Sequence, residues 1–248
     1  MTLFTGRTAV VTGASRGLGR AVAGALAAAG ADLVLVARDA EALLRVAAEL
    51  QDHGVGVRTV PADLSLPGAP DAVADAVGAA DLLINNAAVV TPIDASRRLP
   101  SAAVAEAVAI NLTAPMILGF RMLGSMIDNG WGRIVGISSG VAARPDAMIG
   151  GNVYGTGKAA LEAHLANLAA ELAGTGVTAN TYRPGMIDTG MQAWIRDQGG
   201  TAVQRSLRER FVAAHRDGRL RPPEEVAAVL VRRLATADNG AVWDVADG

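Results

Sequence analysis

Tyr154 and Lys158 stand four residues apart, so on a helix their side chains share one face. A phenol has a reference pKa of about 10 and exchanges protons poorly near neutrality. A neighbouring ammonium stabilises the phenolate, by about 1.4 kcal/mol for each pKa unit shifted. Such a pair can pass a proton to or from an oxygen whose carbon gains or loses hydride. Ser138 and Ser139 precede the pair, and a hydroxyl there can hydrogen-bond the same oxygen as negative charge develops on it. A bare Tyr-x-x-x-Lys occurs on many surface helices. What gives it weight is its position, opening a helix soon after a strand that ends in serines.

A second constellation lies near the N-terminus. Ala9-Val10-Val11 runs into Thr12-Gly13-Ala14-Ser15-Arg16-Gly17-Leu18-Gly19, and a helical pattern follows. A helix N-terminus offers unpaired backbone N–H groups and a positive dipole end, both suited to a pyrophosphate. Gly13 permits the tight turn, Gly17 lets phosphates approach the backbone, and Gly19 allows close packing of helix on strand.

The elements that must position these residues alternate along the chain. Apolar, β-branched runs fall at Thr8–Thr12, Leu33–Val36, Val55–Val60, Leu82–Ile84, Arg133–Ile137, Val177–Tyr182 and Ala241–Val245. Helical patterns ending near Ala29, then at Ala40–Leu50, Ala69–Val77, Ser101–Asp128, Tyr154–Ala173 and Pro223–Leu234, separate them. Strand–helix alternation predicts an α/β fold, a doubly wound parallel sheet of about seven strands with helices on both faces. The apolar stretch from Ala21 to Ala37 is interrupted by Gly30 and Asp32 and reads as helix, turn and strand, since each half is too short to cross a bilayer. One region breaks the rhythm. Met186–Pro222 is richer in Arg, Asp and Gly, with Met191, Trp194, Ile195, then Val203, Leu207 and Phe211 at helical spacing. A partly helical insertion there is placed to cover a ligand at the strand ends as a lid over 186–222.

The spacing Gly-x-x-x-Gly-x-Gly at Gly13, Gly17 and Gly19 resembles the short-chain dehydrogenase/reductase family, and further motifs follow in the family's order over essentially the whole chain. They are Ala62-Asp63-Leu64, Asn85-Asn86-Ala87-Ala88, Asn111, Ser138-Ser139, Tyr154-x-x-x-Lys158 and Arg183-Pro184-Gly185-x-x-x-Thr189. The resemblance implies one domain spanning 1–248 and a carbonyl reductase of the alcohol dehydrogenase class. It assigns Asn111, Ser139, Tyr154 and Lys158 to catalysis. To cofactor binding it assigns Gly13, Ser15, Arg16, Gly17, Leu18, Gly19, Arg38, Asp63, Leu64, Asn86, Ala87, Tyr154, Lys158, Pro184, Gly185, Ile187 and Thr189. Within that scheme Asp63 lies near the adenine, Lys158 holds ribose hydroxyls, Ile187 and Thr189 meet the carboxamide, and Asn111 bends its helix and holds water near the lysine. Two departures stand out: Ala88 replaces a usual glycine, and the Gly140–Val153 segment is about two residues longer than is common, so it must bulge. The segment from Arg183 to Gln192, with Gly240-Ala241-x-x-Asp244, resembles the sepiapterin reductase and benzil reductase branch, which implies a ketone or vicinal diketone as the small-molecule substrate. The family also implies a homodimer or homotetramer, with Ser101–Asp128 and Tyr154–Ala173 as interface helices.

The end of the second strand, Val34-Leu35-Val36-Ala37-Arg38-Asp39, bears on the cofactor. Enzymes that use NAD place a carboxylate here to accept the ribose hydroxyls, and Ala37 occupies that position. Arg38 and Arg16 offer positive charge to a 2′-phosphate, which predicts NADPH in preference to NAD. Asp39, one residue on, stays within reach of a ribose.

Composition narrows the remaining classes. Hydrophobic residues make up 51% of the 248 and charged residues 19%, enough for a large core, while a net charge of −2 gives no field that would attract nucleic acid or anionic lipid. The chain has no cysteine, hence no disulfide and no cysteine-ligated metal, and no metal site is expected. Its start carries no signal-peptide pattern, which suits a cytoplasmic protein. Gly136-Ile137-Ser138-Ser139-Gly140 matches the Gly-x-Ser-x-Gly of serine hydrolases, with Ser138 as the nucleophile. That motif needs a helix directly after the serine, and Arg144-Pro145 and Gly150-Gly151 stand in the way. A cofactor-sensing regulator with little turnover is the other alternative. Such proteins typically lose the tyrosine or the lysine, and both are present here.

Overall fold

The structure is a computed structural model that describes residues 2–197 and 205–247. Seven strands form one parallel sheet in the order β3-β2-β1-β4-β5-β6-β7. They are β1 (Thr8–Thr12), β2 (Asp32–Ala37), β3 (Val57–Pro61), β4 (Leu82–Asn85), β5 (Gly132–Ile137), β6 (Val177–Arg183) and β7 (Val242–Asp244). The chain crosses the sheet between β1 and β4, so a crevice opens at their carboxyl ends. Ligands bind there in doubly wound sheets.

The pleat sends successive side chains to opposite faces. On one face Val11, Leu33, Leu35 and Ile84 pack with α1 (Gly17–Ala28), α2 (Ala40–Leu50) and, late in the chain, the helix Pro223–Leu234. On the other, Val10, Val34, Leu83 and Ile134 meet α3 (Ala69–Val77) and the later helices α5 (Ala114–Asp128) and α6 (Asn152–Glu171). Burying both faces is why the strands read as unbroken apolar runs. Gly136 on β5 has a packing role, because a Cβ there would lie 2.6 Å from Leu165 Cδ1 of α6. Its absence lets the helix that bears Tyr154 and Lys158 settle close onto the sheet.

Several boundaries differ from the sequence-based expectation, most by a residue or two at an element's end. The third strand starts at Val57 because Gly56 N–H donates to the Asp32 carboxylate instead of to a neighbouring strand. It runs to Pro61, tolerated because β3 is an edge strand. Within the helical Ser101–Asp128 stretch, α4 (Ser101–Val108) and α5 are joined by a π-helical turn at Ala109–Thr113 that contains Asn111, where the resemblance implied a bend. By length and composition this 28-residue stretch could also cross a membrane. Here Leu118, Met122 and Met126 are buried in the sheet core. Within 186–222, α7 (Gly190–Asp197) and α8 (Arg205–Arg216) pack on each other, and the last helix, Pro223–Leu234, is α9. Val203 lies outside the described residues.

Candidate active site

The glycine loop leaves β1 beneath the end of β4. The Thr12 hydroxyl donates to Ile84 O at 3.3 Å and accepts the backbone N–H groups of Asn86 and Ala87, each at 3.0 Å. The Asn86 amide donates to Thr12 O at 2.8 Å. These bonds fix both edges of the crevice. Thr12, passed over in the sequence, is therefore the residue that ties the glycine loop to the Asn85-Asn86-Ala87-Ala88 segment.

Gly13 and Gly17 adopt φ of +66° and +54°, in the left-handed region that favours glycine. A Cβ at Gly19 would fall 2.3 Å from Gly13 O, so the close approach is of helix to turn. Arg16 is the N-cap of α1 and gives it no side-chain cap, and no acidic residue occupies the first turn. The first N–H groups of α1 thus point into the crevice without a side-chain acceptor and can bind a diphosphate. Across the loop Thr189 lies beside Gly17, with its methyl 3.4 Å from where a Cβ would be. Pro184 and Ile187 are buried below it, and Gly185 turns the chain at φ +69°.

At the adenosine side, Ala14 N–H donates to Val36 O at 3.2 Å, which sets Ser15 and Arg16 beside the end of β2. Arg38 is exposed and lies 3.9 Å from the Asp63 carboxylate. Asp63 is held below the usual carboxylate range, first by the Ser65 hydroxyl, then by the Ser65 amide and more weakly by Arg38. Leu64 is buried. Asp39 does not turn toward the crevice: its carboxylate accepts Ala42 N–H at 2.9 Å and caps α2.

Tyr154 and Lys158 lie on the first turns of α6, with the Lys158 ammonium 5.8 Å from the tyrosine ring centre. Burial raises the Tyr154 pKa, and a side-chain hydrogen bond with Ser139 opposes the shift. Lys158 is almost fully buried and donates to Ile137 O at 2.6 Å. Burial lowers its pKa to about 8, while the Glu162 carboxylate acts in the opposite sense. Asn111 bonds the backbone of Val89 in both directions, at 2.8 and 2.9 Å, and thereby pins the segment after β4 to the π turn. Gly157 makes room for this contact, since a Cβ there would lie 3.3 Å from Asn111 Cβ.

The two serines separate cleanly. Beyond the end of β5 their side chains diverge, and Ser138 turns inward to donate to Glu162 at 2.5 Å. Ser139 is the one that meets Tyr154. The two extra residues of the 140–153 segment are taken up by a turn and a 3-10 helix at Pro145–Met148, and Arg144 stays exposed. A turn instead of a helix follows Ser138, so the nucleophile-elbow geometry of a hydrolase is absent. Among the described residues no cluster of three or more His, Asp or Glu could hold a metal.

Residues 7–199 match the short chain dehydrogenase family. The chain belongs to the short-chain dehydrogenase/reductase family. It is 32% identical over 252 residues to the 3-oxoacyl-(acyl-carrier-protein) reductase FabG of Aquifex aeolicus, covering 98% of this chain and 97% of the other. Its structure superposes at a TM-score of 0.86 on a putative NAD(P)-dependent gluconate 5-dehydrogenase from Beutenbergia cavernae solved with NADP, 30% identical, over 99% and 97% of the two chains. An NAD+-bound xylitol dehydrogenase superposes at 0.84, with 26% identity over 97% and 98%. This short-chain dehydrogenase/reductase is thus an NAD(P)-dependent oxidoreductase. Relatives of the ketoacyl reductase kind span nearly the whole chain, so the short resemblance at 183–192 and 240–244 does not assign it to the sepiapterin and benzil reductase branch.

In the serine pair the geometry sets a clear expectation. Ser139→Ala should cost at least about tenfold more in kcat than Ser138→Ala, since Ser139 hydrogen-bonds Tyr154 while Ser138 is taken by Glu162. Steady-state rates of both variants check this, and the reverse order would shift the assignment by one residue.

Proposed function

We propose that this enzyme is an NADPH-dependent reductase of apolar ketones, with Tyr154 as general acid, Ser139 as the oxygen-binding partner, Lys158 as the cation that stabilises the phenolate, and Asn111 as the residue that shapes the helix behind them. The observation that carries the reading is the convergence of Ser139 and the buried Lys158 on Tyr154 beyond the carboxyl end of β5. A bound NADPH supplies the hydride. The chain's own part is to hold the carbonyl oxygen between Ser139 and Tyr154 and to deliver the proton from the phenol. The diphosphate falls to Gly13, Ser15, Gly17, Leu18 and Gly19, the adenosine to Arg16, Arg38, Asp63 and Leu64, and the nicotinamide half to Asn86, Ala87, Lys158, Pro184, Gly185, Ile187 and Thr189.

NADPH is favoured over NADH by two features together. Ala37 and Arg38 present no carboxylate to a ribose, and Asp39 is committed to capping α2. The substrate class follows from the walls. Val90, Ile93, Val141, Met148, Ile195 and Leu207 form a buried apolar cluster, against which Tyr154, Met191, Trp194 and Phe211 pack. Half of these residues come from α7 and α8, which supports the role of 186–222 as a lid. An apolar cluster beside Tyr154 suits diketones and ketoacyl chains better than polyols or sugar acids. Exposed Val108, Phe120 and Ile127 on α4 and α5 suit the expected homodimer or homotetramer.

The test is NADPH consumption with a panel of vicinal diketones, β-ketoacyl thioesters, ketoses and keto-acids. Apolar ketones should give kcat/KM at least about a hundredfold above gluconate-type and polyol-type substrates. A preference for the hydroxylated substrates would overturn the substrate class.

A further inference from the structure

Tyr154, Lys158 and Glu162 follow one another at four-residue intervals along α6, and the third has no part in the chemistry described so far. Glu162 accepts three hydrogen bonds: the Ser138 hydroxyl at 2.5 Å, Arg183 Nε at 2.9 Å and Arg183 Nη2 at 2.6 Å. The carboxylate and guanidinium are only 15% and 22% exposed, and Ser138 is buried. Charge-assisted, bidentate bonds of this kind are the strong ones. They join α6 to the carboxyl ends of β5 and β6, the two strands that carry Ser139 and the Pro184–Thr189 segment.

We propose that Glu162, held by Arg183, is a positioning residue that keeps Ser139 in register with Tyr154 and keeps Lys158 charged. The inference rests on the assignment of Tyr154, Ser139 and Lys158 above. A simple staple would need only the bridge between elements, whereas this bridge grips both peptides flanking the catalytic contacts. Ser138 adjoins Ser139 on one side and, on the other, Ile137, whose carbonyl accepts the Lys158 ammonium. Arg183 adjoins Pro184.

Burial disfavours the ammonium of Lys158, and the Glu162 carboxylate one turn away offsets it. The other groups facing Lys158 do not supply a negative charge. Tyr154 lies on the same helix, β5 contributes the Ile137 carbonyl, and the π turn contributes the neutral Asn111. From β6 comes Arg183, on which Asp244 of β7 acts, and α4 has only Glu106, which is exposed.

The pH dependence of kcat/KM for ketone reduction separates positioning from stapling. Reduction should fail at high pH as the coupled Tyr154–Lys158 pair gives up a proton. Glu162→Gln removes a negative charge, which lowers the pKa of both members, so this limb should move to lower pH by about half a unit or more. Arg183→Gln leaves the carboxylate without its cation and should move the limb to higher pH. Ser138→Ala leaves the charges in place and should lower kcat by a few-fold with the limb unmoved. If Glu162→Gln and Arg183→Gln both lose rate while the limb stays fixed, Glu162 is a staple and the inference fails. Should Arg183→Gln not fold, the near-isosteric Glu162→Gln alone decides. A Tyr154→Phe variant that keeps its rate would instead overturn the assignment beneath it, whatever the limb does.

Discussion

Tyr154→Phe should lower kcat by about 10²–10⁴-fold, the usual contribution of a positioned general acid, while NADPH dissociation changes by no more than a few-fold. The substitution removes one oxygen and keeps the ring, which packs against an apolar cluster that includes Ile195 and Leu207. What it deletes is the hydroxyl that hydrogen-bonds Ser139, the group proposed to give its proton to the carbonyl oxygen. Binding should survive because the diphosphate cradle, built from the glycine loop and α1, is formed by other residues. Stopped-flow binding and steady-state rates measured on the same preparation separate the two quantities. A variant that retains more than about a tenth of the rate would remove Tyr154 from the role of acid.

The second large effect lies at the other end of the cofactor. Arg38→Ala should weaken NADPH by about ten- to a hundredfold and leave NADH nearly unchanged, since a hydrogen bond to a charged group contributes roughly 1.5–3 kcal/mol. The exposure of Arg38 and its proximity to Asp63 favour the lower part of that range. Ala37→Asp should go further and invert the preference, because it adds an acceptor for the ribose hydroxyl and repels the phosphate. One oxygen of the competing Asp39 carboxylate accepts Ala42 N–H and caps α2, which supports this expectation. Values of kcat/KM for both cofactors in the wild type and both variants decide the matter. A wild type that uses NADH as well as NADPH would mean that this strand end reads the ribose some other way.

Much of the architecture was legible because a sheet buried on both faces writes itself as short Val/Ile/Leu runs between helical patterns. The glycine loop was legible for a related reason: the left-handed backbone at Gly13 and Gly17 and the 2.3 Å approach at Gly19 leave little choice of residue. What the sequence did not disclose depended on partners distant along the chain. The resemblance implied a bend at Asn111, but its form as a π turn, with Asn111 bound to the backbone of Val89, shows only in the fold. The resemblance favoured Ser139, but the partner of Ser138, Glu162 24 residues away, shows only in the fold. Glu162 itself carried a faint signal, its four-residue spacing from Lys158, but its pairing with Arg183 exists only once β6 lies beside β5. The mixed composition of 186–222 marked it as unlike the rest, and α7 and α8 supply Met191, Trp194, Ile195, Leu207 and Phe211 to the wall beside Tyr154.

The central claim is that hydride passes from NADPH to a carbonyl carbon at Tyr154. Its most direct test is a single-turnover reaction with NADPH deuterated at the transferable position of C4 and an apolar diketone or ketoacyl thioester, with the product read by mass spectrometry and NMR. One deuterium per turnover should appear on the new carbinol carbon, of a single configuration, with the hydroxyl proton drawn from solvent. Deuterium left in the cofactor or lost to water, or NADPH consumed with no labelled alcohol formed, would contradict it.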